Sequence, residues 1–313
     1  MKQITVLSGK GGTGKTTLTA AFAVLAKKAV VADCDVDAPD LHMLLHPEII
    51  ETQEFKGSKL AVIDESKCVK CDLCREKCRF KAITENFKVD QFSCEGCGVC
   101  TIICPANAIA LTERISGHAY ISKTKFGFMS HAMLAPSEAN SGKLVTLVRQ
   151  NSKILAEKES IDLIIIDGPP GIGCPVIASV TGVDAGLVVA EPTMSGIHDL
   201  KRALQLLAHF DVLPFVCVNM YDINKDNTGE IESFCKENSV EIVGKIPFDP
   251  EVTEAMVNGK TIIEYSPRNV VAKEIETIWE KSSILISENN LNERAIHKQK
   301  RGDKLVVENS DKP

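Results

Sequence analysis

The chain has 313 residues, of which 44% are hydrophobic and 25% charged, and its formal net charge is −6. This length allows about two domains and one sizeable core. The mildly acidic balance, with no dense run of Lys and Arg before the last residues, argues against a nucleic-acid partner. No apolar run approaches the ~20 residues of a membrane-spanning helix, and Met1 leads directly into an apolar strand. We therefore expect a cytoplasmic protein without membrane insertion.

A glycine-rich segment near the start of the chain predicts a phosphate-binding loop. It matches G-x-x-x-x-G-K-T and lies between an apolar strand at residues 4–7 and a helix-forming segment at residues 18–27. In this context backbone N–H groups and the helix N-terminus surround an anion, so we expect a bound nucleoside triphosphate and Mg²⁺. The predicted contacts are Gly9, Lys10, Gly11, Gly12, Thr13, Gly14, Lys15, Thr16 and Thr17. Lys15 would reach the β- and γ-phosphates, and the Thr16 hydroxyl would coordinate Mg²⁺.

A second lysine, Lys10, follows the first glycine of the loop. A second cation there is costly unless a phosphate neutralises it, although a solvated loop lysine is the alternative. With this lysine the sequence resembles the deviant Walker A ATPases, which include MinD, ParA, the nitrogenase iron protein and the Mrp-type iron–sulfur carrier ATPases. The resemblance implies a homodimer that encloses ATP, with Lys10 reaching the partner's nucleotide.

Carboxylates follow two predicted strands. Residues 33–40 (DCDVDAPD) come directly after one strand, and Asp167 ends the apolar run IDLIIID. Ligands of doubly wound folds bind at the carboxyl ends of strands, although a turn rich in Asp and Pro is the alternative for residues 33–40. The resemblance implies that Asp35 orients the attacking water and that residues 168–173 form an Mrp-type switch loop. The predicted Mg²⁺ set is Thr16, Asp33, Asp35 and Asp167, and the predicted catalytic residues are Lys10, Lys15 and Asp35.

Eight of the 12 cysteines fall between residues 68 and 104, and they form two runs with the spacing C-x₂-C-x₂-C-x₃-C. In a chain without a secretory signal this excess indicates metal or redox sites rather than disulfides. The spacing is that of bacterial ferredoxins, in which the fourth cysteine of a run serves the other cluster. Zinc is the competing metal, but runs of four cysteines fit it poorly. We predict one [4Fe–4S] cluster on Cys68, Cys71, Cys74 and Cys104, and a second on Cys78, Cys94, Cys97 and Cys100.

The rest of the chain alternates short strands and helices, which predicts parallel β-α units. The predicted fold is α/β, a mostly parallel doubly wound P-loop sheet with an inserted ferredoxin-like α+β domain. We assign residues 1–48 and 116–286 to the ATPase domain, 49–115 to the insert and 287–313 to a disordered tail.

Asn219 ends a predicted strand, where its amide could read a base, although Asn as a turn former is an equal alternative. The resemblance implies that Asn219 contacts adenine. It also implies that Pro247 and Asp249 form the other wall of the base pocket.

These patterns and the resemblance together imply a Mg²⁺-dependent ATPase, slow without its partner, that couples its nucleotide state to iron–sulfur or metal-cofactor assembly or to electron transfer. The partner would be a recipient or redox protein. The insert leaves the ATPase sequence after residues 33–40, so we expect a shift of that segment to move the clusters directly. The alternatives are a positioning ATPase like MinD or ParA, and a ferredoxin-type electron carrier with little ATPase activity.

Overall fold

The computed structural model describes residues 1–136, 138 and 141–300, with side chains described as far as residue 287. The strands are β1 (Lys2–Leu7), β2 (Ala29–Asp33), β3 (Glu48–Phe55), β4 (Ser58–Ile63), β5 (Ile109–Arg114), β6 (Gly117–Thr124), β7 (Gly127–Leu134), β8 (Leu163–Asp167), β9 (Ala185–Ala190), β10 (Leu213–Asn219) and β11 (Glu241–Ile246). The helices are α1 (Lys15–Ala26), α2 (His42–Leu45), α3 (Leu73–Lys77), α4 (Val99–Ile103), α5 (Ser141–Lys158), α6 (Cys174–Val180), α7 (Met194–His209), α8 (Lys225–Glu237), α9 (Pro250–Val257), α10 (Ile262–Tyr265) and α11 (Val270–Lys300).

Nine of these strands form one sheet in the order β11-β10-β9-β1-β8-β2-β7-β6-β3. The pairs from β11 through to β7 are parallel, whereas β7-β6 and β6-β3 are antiparallel. Strands β2 and β9 are buried along their whole length, as expected of parallel strands covered on both faces. The predicted mostly parallel α/β sheet is confirmed.

Two hydrophobic clusters lie on opposite faces of this sheet. On one face, Phe22 of α1 and Ile278 of α11 pack with Phe215 of β10. On the other face, Val148 of α5 packs with Ile166 of β8, and α6, α7 and α8 extend the same cluster. Burial of apolar side chains on both faces is why the central strands read as continuous apolar runs rather than as alternating patterns.

The sheet brings the predicted site segments to one edge. The phosphate loop follows β1 in the middle of the sheet, with β8 and β2 on one side and β9 and β10 on the other. Asp33, Asp167 and Asn219 are the last residues of β2, β8 and β10. Because these strands are parallel, their carboxyl ends meet beside the loop, as in other doubly wound folds.

The residues between β3 and β6 form a small separate unit. Strands β4 and β5 pair antiparallel as a two-stranded sheet, and α3 and α4 pack together beside it. Its core contains Ala61, Cys74, Ile83 and Ile109, with five more of the cysteines partly buried or packed around it. A two-stranded sheet with so few apolar side chains is marginal by itself, so ligation by the cysteines would contribute much of its stability.

The boundaries of the predicted insert differ from those in the structure. Residues 49–55, which we assigned to the insert, lie in β3 and pair with β6 at the edge of the large sheet. All but the last residue of β3 are exposed, so the strand lacks the apolar alternation from which a half-buried strand is predicted. Helix α2 and β3 therefore separate residues 33–40 from the insert, which does not leave the core directly after that segment.

The last helix extends into the predicted disordered tail. It continues to Lys300 and so includes residues 287–300, which we assigned to that tail. Residues 287–300 contain no Gly or Pro and include several good helix formers, so local propensity explains the extension. The expected disorder of residues 301–313 concerns positions outside the described residues. Within the described part of the chain, no helix combines the length and apolarity that crossing a bilayer requires.

Candidate functional site

The phosphate loop is closed by a contact with the end of β10. Gly14 has a φ of +92°, and a Cβ there would lie 2.6 Å from the Asn219 Nδ2 atom, so only glycine fits. The Asn219 amide donates a hydrogen bond to the Thr13 carbonyl at 2.9 Å. Asn219 therefore holds the loop in shape, and this contact uses one of its amide hydrogens.

A cavity of about 510 Å³ opens beside the loop, within the size range of small-ligand sites. Lys15, Thr16 and Thr17 border it on the loop side. Apolar side chains that the sequence did not mark as functional form much of the remaining lining; they include Met43, Leu44, Val252, Met256, Val271 and Ile275. The cavity thus places an apolar wall next to a phosphate-binding loop, which suits a nucleotide.

The predicted base contacts also line this cavity, at the end of β11. Pro247 and Asp249 border it together with Asn219. The Asp249 carboxylate caps α9 by accepting from the Glu251 N–H at 2.9 Å, and it accepts from the Asn269 amide at 2.8 Å. These hydrogen bonds lower the pKa of Asp249, the Asn269 bond most. Asp249 thus has a structural role in addition to any contact with a base.

Two buried carboxylates face the loop from adjacent strands. Asp33 and Asp167 are register partners at the ends of β2 and β8. The hydroxyls of Thr16 and Thr19 donate to the two oxygens of Asp167, at 2.7 and 3.0 Å. Asp33 accepts from the Asp35 N–H through Oδ1, whereas its Oδ2 atom is buried without a hydrogen-bond partner among the described residues. Thr19 was missed because its spacing within α1 carries no signal of this contact.

This pair of carboxylates is electrostatically unfavourable without a cation. Burial, and then the charge of Asp167, raises the pKa of Asp33 well above its usual value. Burial also raises the pKa of Asp167, against the hydrogen bond from Thr16 and the charge of Lys15. Two carboxylates and a hydroxyl are oxygen donors of the kind that Mg²⁺ prefers, and the free oxygen of Asp33 is available. The residues present therefore fit Mg²⁺.

Asp35 lies two residues after Asp33 and interacts with Lys15 of the phosphate loop. It is half-buried, and burial raises the pKa of its carboxyl, while the charge of Lys15 opposes this rise. The carboxylate is therefore close enough to Lys15 to interact with it. This position is compatible with the predicted role beside the terminal phosphate.

Lys10 points away from the cavity. Its ammonium group pairs with the Glu191 carboxylate at the end of β9 and contacts the Ser195 Oγ atom at 3.3 Å. Glu191 is largely buried, whereas the Lys10 side chain is 41% exposed. No sequence pattern indicates these two partners, since they lie more than 180 residues away from Lys10.

The eight clustered cysteines form two sets in space. Cys68, Cys71, Cys74 and Cys104 line one small cavity, and Cys78, Cys94, Cys97 and Cys100 line another of about 270 Å³. In each set, the sulfur of the distant cysteine accepts a backbone N–H bond, from Ala82 to Cys78 at 3.4 Å and from Ala108 to Cys104 at 3.3 Å. These are the sets that the ferredoxin spacing predicts.

The donor chemistry of both sets fits iron–sulfur clusters. Four thiols with backbone N–H donors to sulfur match the ligands of a [4Fe–4S] cube. Among the described residues, no three His, Cys, Asp or Glu side chains converge closely enough to hold a single metal ion. A structural zinc ion needs four ligands at about 2.3 Å, and the described cysteines do not converge in that way.

The fold and the loop define a P-loop nucleotide-binding protein. Residues 4–262 match the CobQ/CobB/MinD/ParA nucleotide binding domain, and the chain belongs to this family. An uncharacterized protein of Methanocaldococcus jannaschii is 33% identical over 282 residues, which cover 89% of this chain and 95% of that protein. The iron-sulfur cluster carrier protein of Pyrococcus horikoshii is 25% identical over 287 residues, 84% of this chain and 79% of that protein.

A solved structure supports the fold. The cell division ATPase MinD of Pyrococcus furiosus superposes with a TM-score of 0.56 at 19% identity, covering 91% of this chain and 99% of that one. The resemblance inferred from the loop and the cysteine runs is confirmed.

Substitution of Asp33 by Asn tests the cation site. We expect Asp33→Asn to raise the thermal stability of the nucleotide-free protein and to reduce the extra stability that Mg²⁺ and ATP provide. A charged carboxylate whose pKa is raised on folding costs about 1.4 kcal/mol of stability for each pKa unit once the pH exceeds the raised value. The measurement is thermal unfolding of anaerobically purified protein with and without Mg²⁺ and ATP.

The pH dependence of this effect has a definite sign. Wild-type stability should fall as the pH rises from the ordinary Asp value of 3.8 through the raised pKa, and Asp33→Asn should remove part of that slope. The exposed neighbour Asp37 provides the control variant Asp37→Asn. Equal responses of the two variants to Mg²⁺ and ATP would refute the site.

Proposed function

We propose that this protein binds and hydrolyses ATP and uses its nucleotide state to control iron–sulfur or metal-cofactor assembly, or electron transfer to a partner protein. The observation that carries this proposal is that one chain holds both a phosphate loop with paired acids and two complete four-cysteine sets. Membership of a nucleotide-binding family supports the first half. The similarity to a protein named as an iron-sulfur cluster carrier supports the second half.

The residues around the loop have distinct roles in this proposal. Lys15 and the loop amides bind the phosphates, and Thr16, Asp33 and Asp167 hold Mg²⁺, which would neutralise charge on the β- and γ-phosphates. Asp35 accepts a hydrogen bond from the attacking water and orients it. Phosphoryl transfer of this kind depends on positioning and charge stabilisation more than on covalent chemistry, so these roles suffice for hydrolysis.

Lys10 links hydrolysis to dimer formation in the proposal. In the single chain its charge is satisfied by Glu191, so it must exchange this partner before it can reach a second nucleotide. Although Glu191 is largely buried, the Lys10 side chain is 41% exposed, so solvent screens its ammonium group and a phosphate can compete for it. ATP on a second copy of the chain would therefore draw Lys10 across the interface.

Variants of this ion pair test the dimer. Lys10→Ala should retain nucleotide binding, lose ATP-dependent dimerisation and hydrolyse ATP on the order of 100-fold more slowly. Glu191→Gln removes the competing carboxylate and should increase the dimer fraction at a given ATP concentration. Light scattering and phosphate release measure these effects, with Lys27→Ala as the control for loss of a surface lysine. ATP-dependent dimers of Lys10→Ala at the wild-type level would rule out this role.

The cysteine sets provide the second half of the proposed function. Bound clusters would exchange single electrons or be delivered themselves as cargo. Cys71 and Cys97 are exposed, so each set has one thiol on the surface where a partner can approach. A complete set of four protein ligands at each site favours clusters that stay bound during electron exchange.

Paired substitutions test whether the fourth cysteine of each run ligates the cluster of the other run. Cys78→Ala and Cys100→Ala should each remove about half of the bound iron, and the double variant should lose no more, because both serve one cluster. Cys78→Ala combined with Cys104→Ala should remove nearly all of it. Iron and sulfide analysis of anaerobic preparations measures this. The control is Cys235→Ala, at a buried thiol of α8 whose pKa burial raises to about 12.

An ATP titration in the presence of an iron chelator tests the proposed function as a whole. Faster loss of cluster absorbance in ATP than in ADP would support delivery, and a change in reduction potential without loss would support electron transfer. The partner can be sought by anaerobic co-purification with Asp35→Asn, which should bind ATP without hydrolysing it. Clusters that respond identically to ATP, ADP and no nucleotide would refute the coupling.

A further inference from the structure

Four polar side chains meet where the insert joins the large sheet; we call this set, Ser58, Arg114, Ser116 and Glu138, the neck network. The Ser116 Oγ atom lies 2.7 Å from the Ser58 Oγ atom and accepts from the Ser58 N–H at 3.0 Å. Glu138 accepts from the Ser58 hydroxyl at 2.7 Å and pairs with Arg114 at 2.5 Å.

The neck network is largely buried. The Glu138 side chain is 7% exposed and that of Arg114 is 17% exposed, while Ser116 is fully buried. Ion pairs that are buried and hydrogen-bonded at both ends fix geometry strongly, because separating them would leave a buried charge unpaired. Ser58 and Arg114 are also register partners at the neck end of β4 and β5. The network therefore clamps both chain crossings of the insert to one carboxylate of the ATPase domain.

Backbone hydrogen bonds connect the neck network to the nucleotide side. The Leu134 N–H, at the end of β7, donates to the Val36 carbonyl at 3.0 Å, and Val36 lies next to Asp35. The following residue, Ala135, donates to the Ser116 carbonyl at 2.8 Å and accepts from the Glu138 N–H at 3.1 Å. This route is far shorter than the covalent path from residues 33–40 through α2 and β3.

On the other side, the neck network contacts the loop of the second cysteine set. The Arg114 guanidinium, through Nη1, donates to the Gln91 carbonyl, three residues before Cys94. Gly96 has a φ of +62° and packs against the Lys59 carbonyl so closely that a Cβ would lie 2.2 Å from that oxygen. Residues 91–97 are thus fixed to the neck end of the small sheet.

The first cysteine set lies at the opposite end of the same sheet. Strand β4 begins at the neck with Ser58 and ends at Ile63, which pairs with Ile109. Ile109 lines the cavity of the first set, and the Asp64 N–H donates to the Ala108 carbonyl just before Cys68. The two sets therefore differ in their distance from the ATPase domain, although their spacing in sequence is the same.

We propose that Glu138 and Arg114 are positioning residues that transmit the nucleotide-dependent position of residues 33–40 to the loop of the second cysteine set, and not to the first. This inference rests on the proposed function, since it requires that ATP moves residues 33–40. Arg114 is the element that makes the coupling selective, because its guanidinium holds Glu138 on one side and the Gln91 carbonyl on the other.

Hydrogen–deuterium exchange of the full-length, cluster-loaded protein tests the proposal. Wild-type protein with a non-hydrolysable ATP analogue should differ from protein with ADP in the exchange of residues 91–100, by about threefold or more in rate. Residues 66–74 should exchange equally in both states. Glu138→Gln should abolish the difference at residues 91–100 while the affinity for nucleotide stays unchanged.

Two further variants keep this test decisive. Glu113→Gln removes a nearby carboxylate that is 69% exposed and whose ion pair with Lys56 is long, at 3.9 Å. This variant should therefore behave as wild type. Arg114→Lys keeps the charge but loses the planar guanidinium that contacts both Glu138 and the Gln91 carbonyl. It should therefore also abolish the nucleotide-dependent difference in exchange at residues 91–100, which keeps the proposal testable even if Glu138→Gln fails to fold.

The outcomes separate the two proposals. If nucleotide changes the exchange of residues 91–100 equally in wild type and Glu138→Gln, or acts on both cysteine sets alike, the positioning role is wrong while the proposed function stands. If wild-type protein binds and hydrolyses ATP without any change in the exchange or spectra of either set, the proposed function fails and this inference fails with it.

Discussion

The burial of two carboxylates side by side at the ends of β2 and β8 is the constraint on which the rest of the site depends. Burial raises the pKa of both Asp33 and Asp167, the charge of Asp167 raises that of Asp33 further, and one oxygen of Asp33 has no hydrogen-bond partner among the described residues. A fold maintains such a cost where a cation arrives with its ligand to offset it. Because Asp35 and Val36 follow Asp33 within three residues, and Val36 accepts a hydrogen bond from Leu134 of β7, we propose that binding at this pair acts on a segment attached to β7.

The insert is placed so that this segment can influence it. Its core contains few buried apolar side chains, so in our proposal cluster ligation would supply much of its stability and changes at its attachment would reach the ligand loops. Glu138 and Arg114 hold the two chain crossings, and the second cysteine set lies at that end. In our proposal the large sheet is a rigid support, and the neck network transmits the movement of residues 33–40 to the insert.

The sequence was sufficient where a feature is local. The continuous apolar runs of β1 and β8, the glycine-rich loop and the repeated cysteine spacing each lie within one continuous segment, the longest being residues 68–104, so pattern and propensity identify them. Pairings across the chain left no such pattern: Glu191 with Lys10, and Glu138 with Arg114, join segments that only the folded sheet brings together. The edge strand β3 was missed for another reason, since it is polar and is held by backbone bonds to β6.

The central claim is that the nucleotide and the clusters respond to each other within one molecule. The most direct measurement is an anaerobic spectroelectrochemical titration of the cluster-loaded protein with ADP and with a non-hydrolysable ATP analogue. We expect the reduction potential or the occupancy of at least one cluster to differ between these states. Superimposable titration curves, from protein shown to bind both nucleotides, would contradict it.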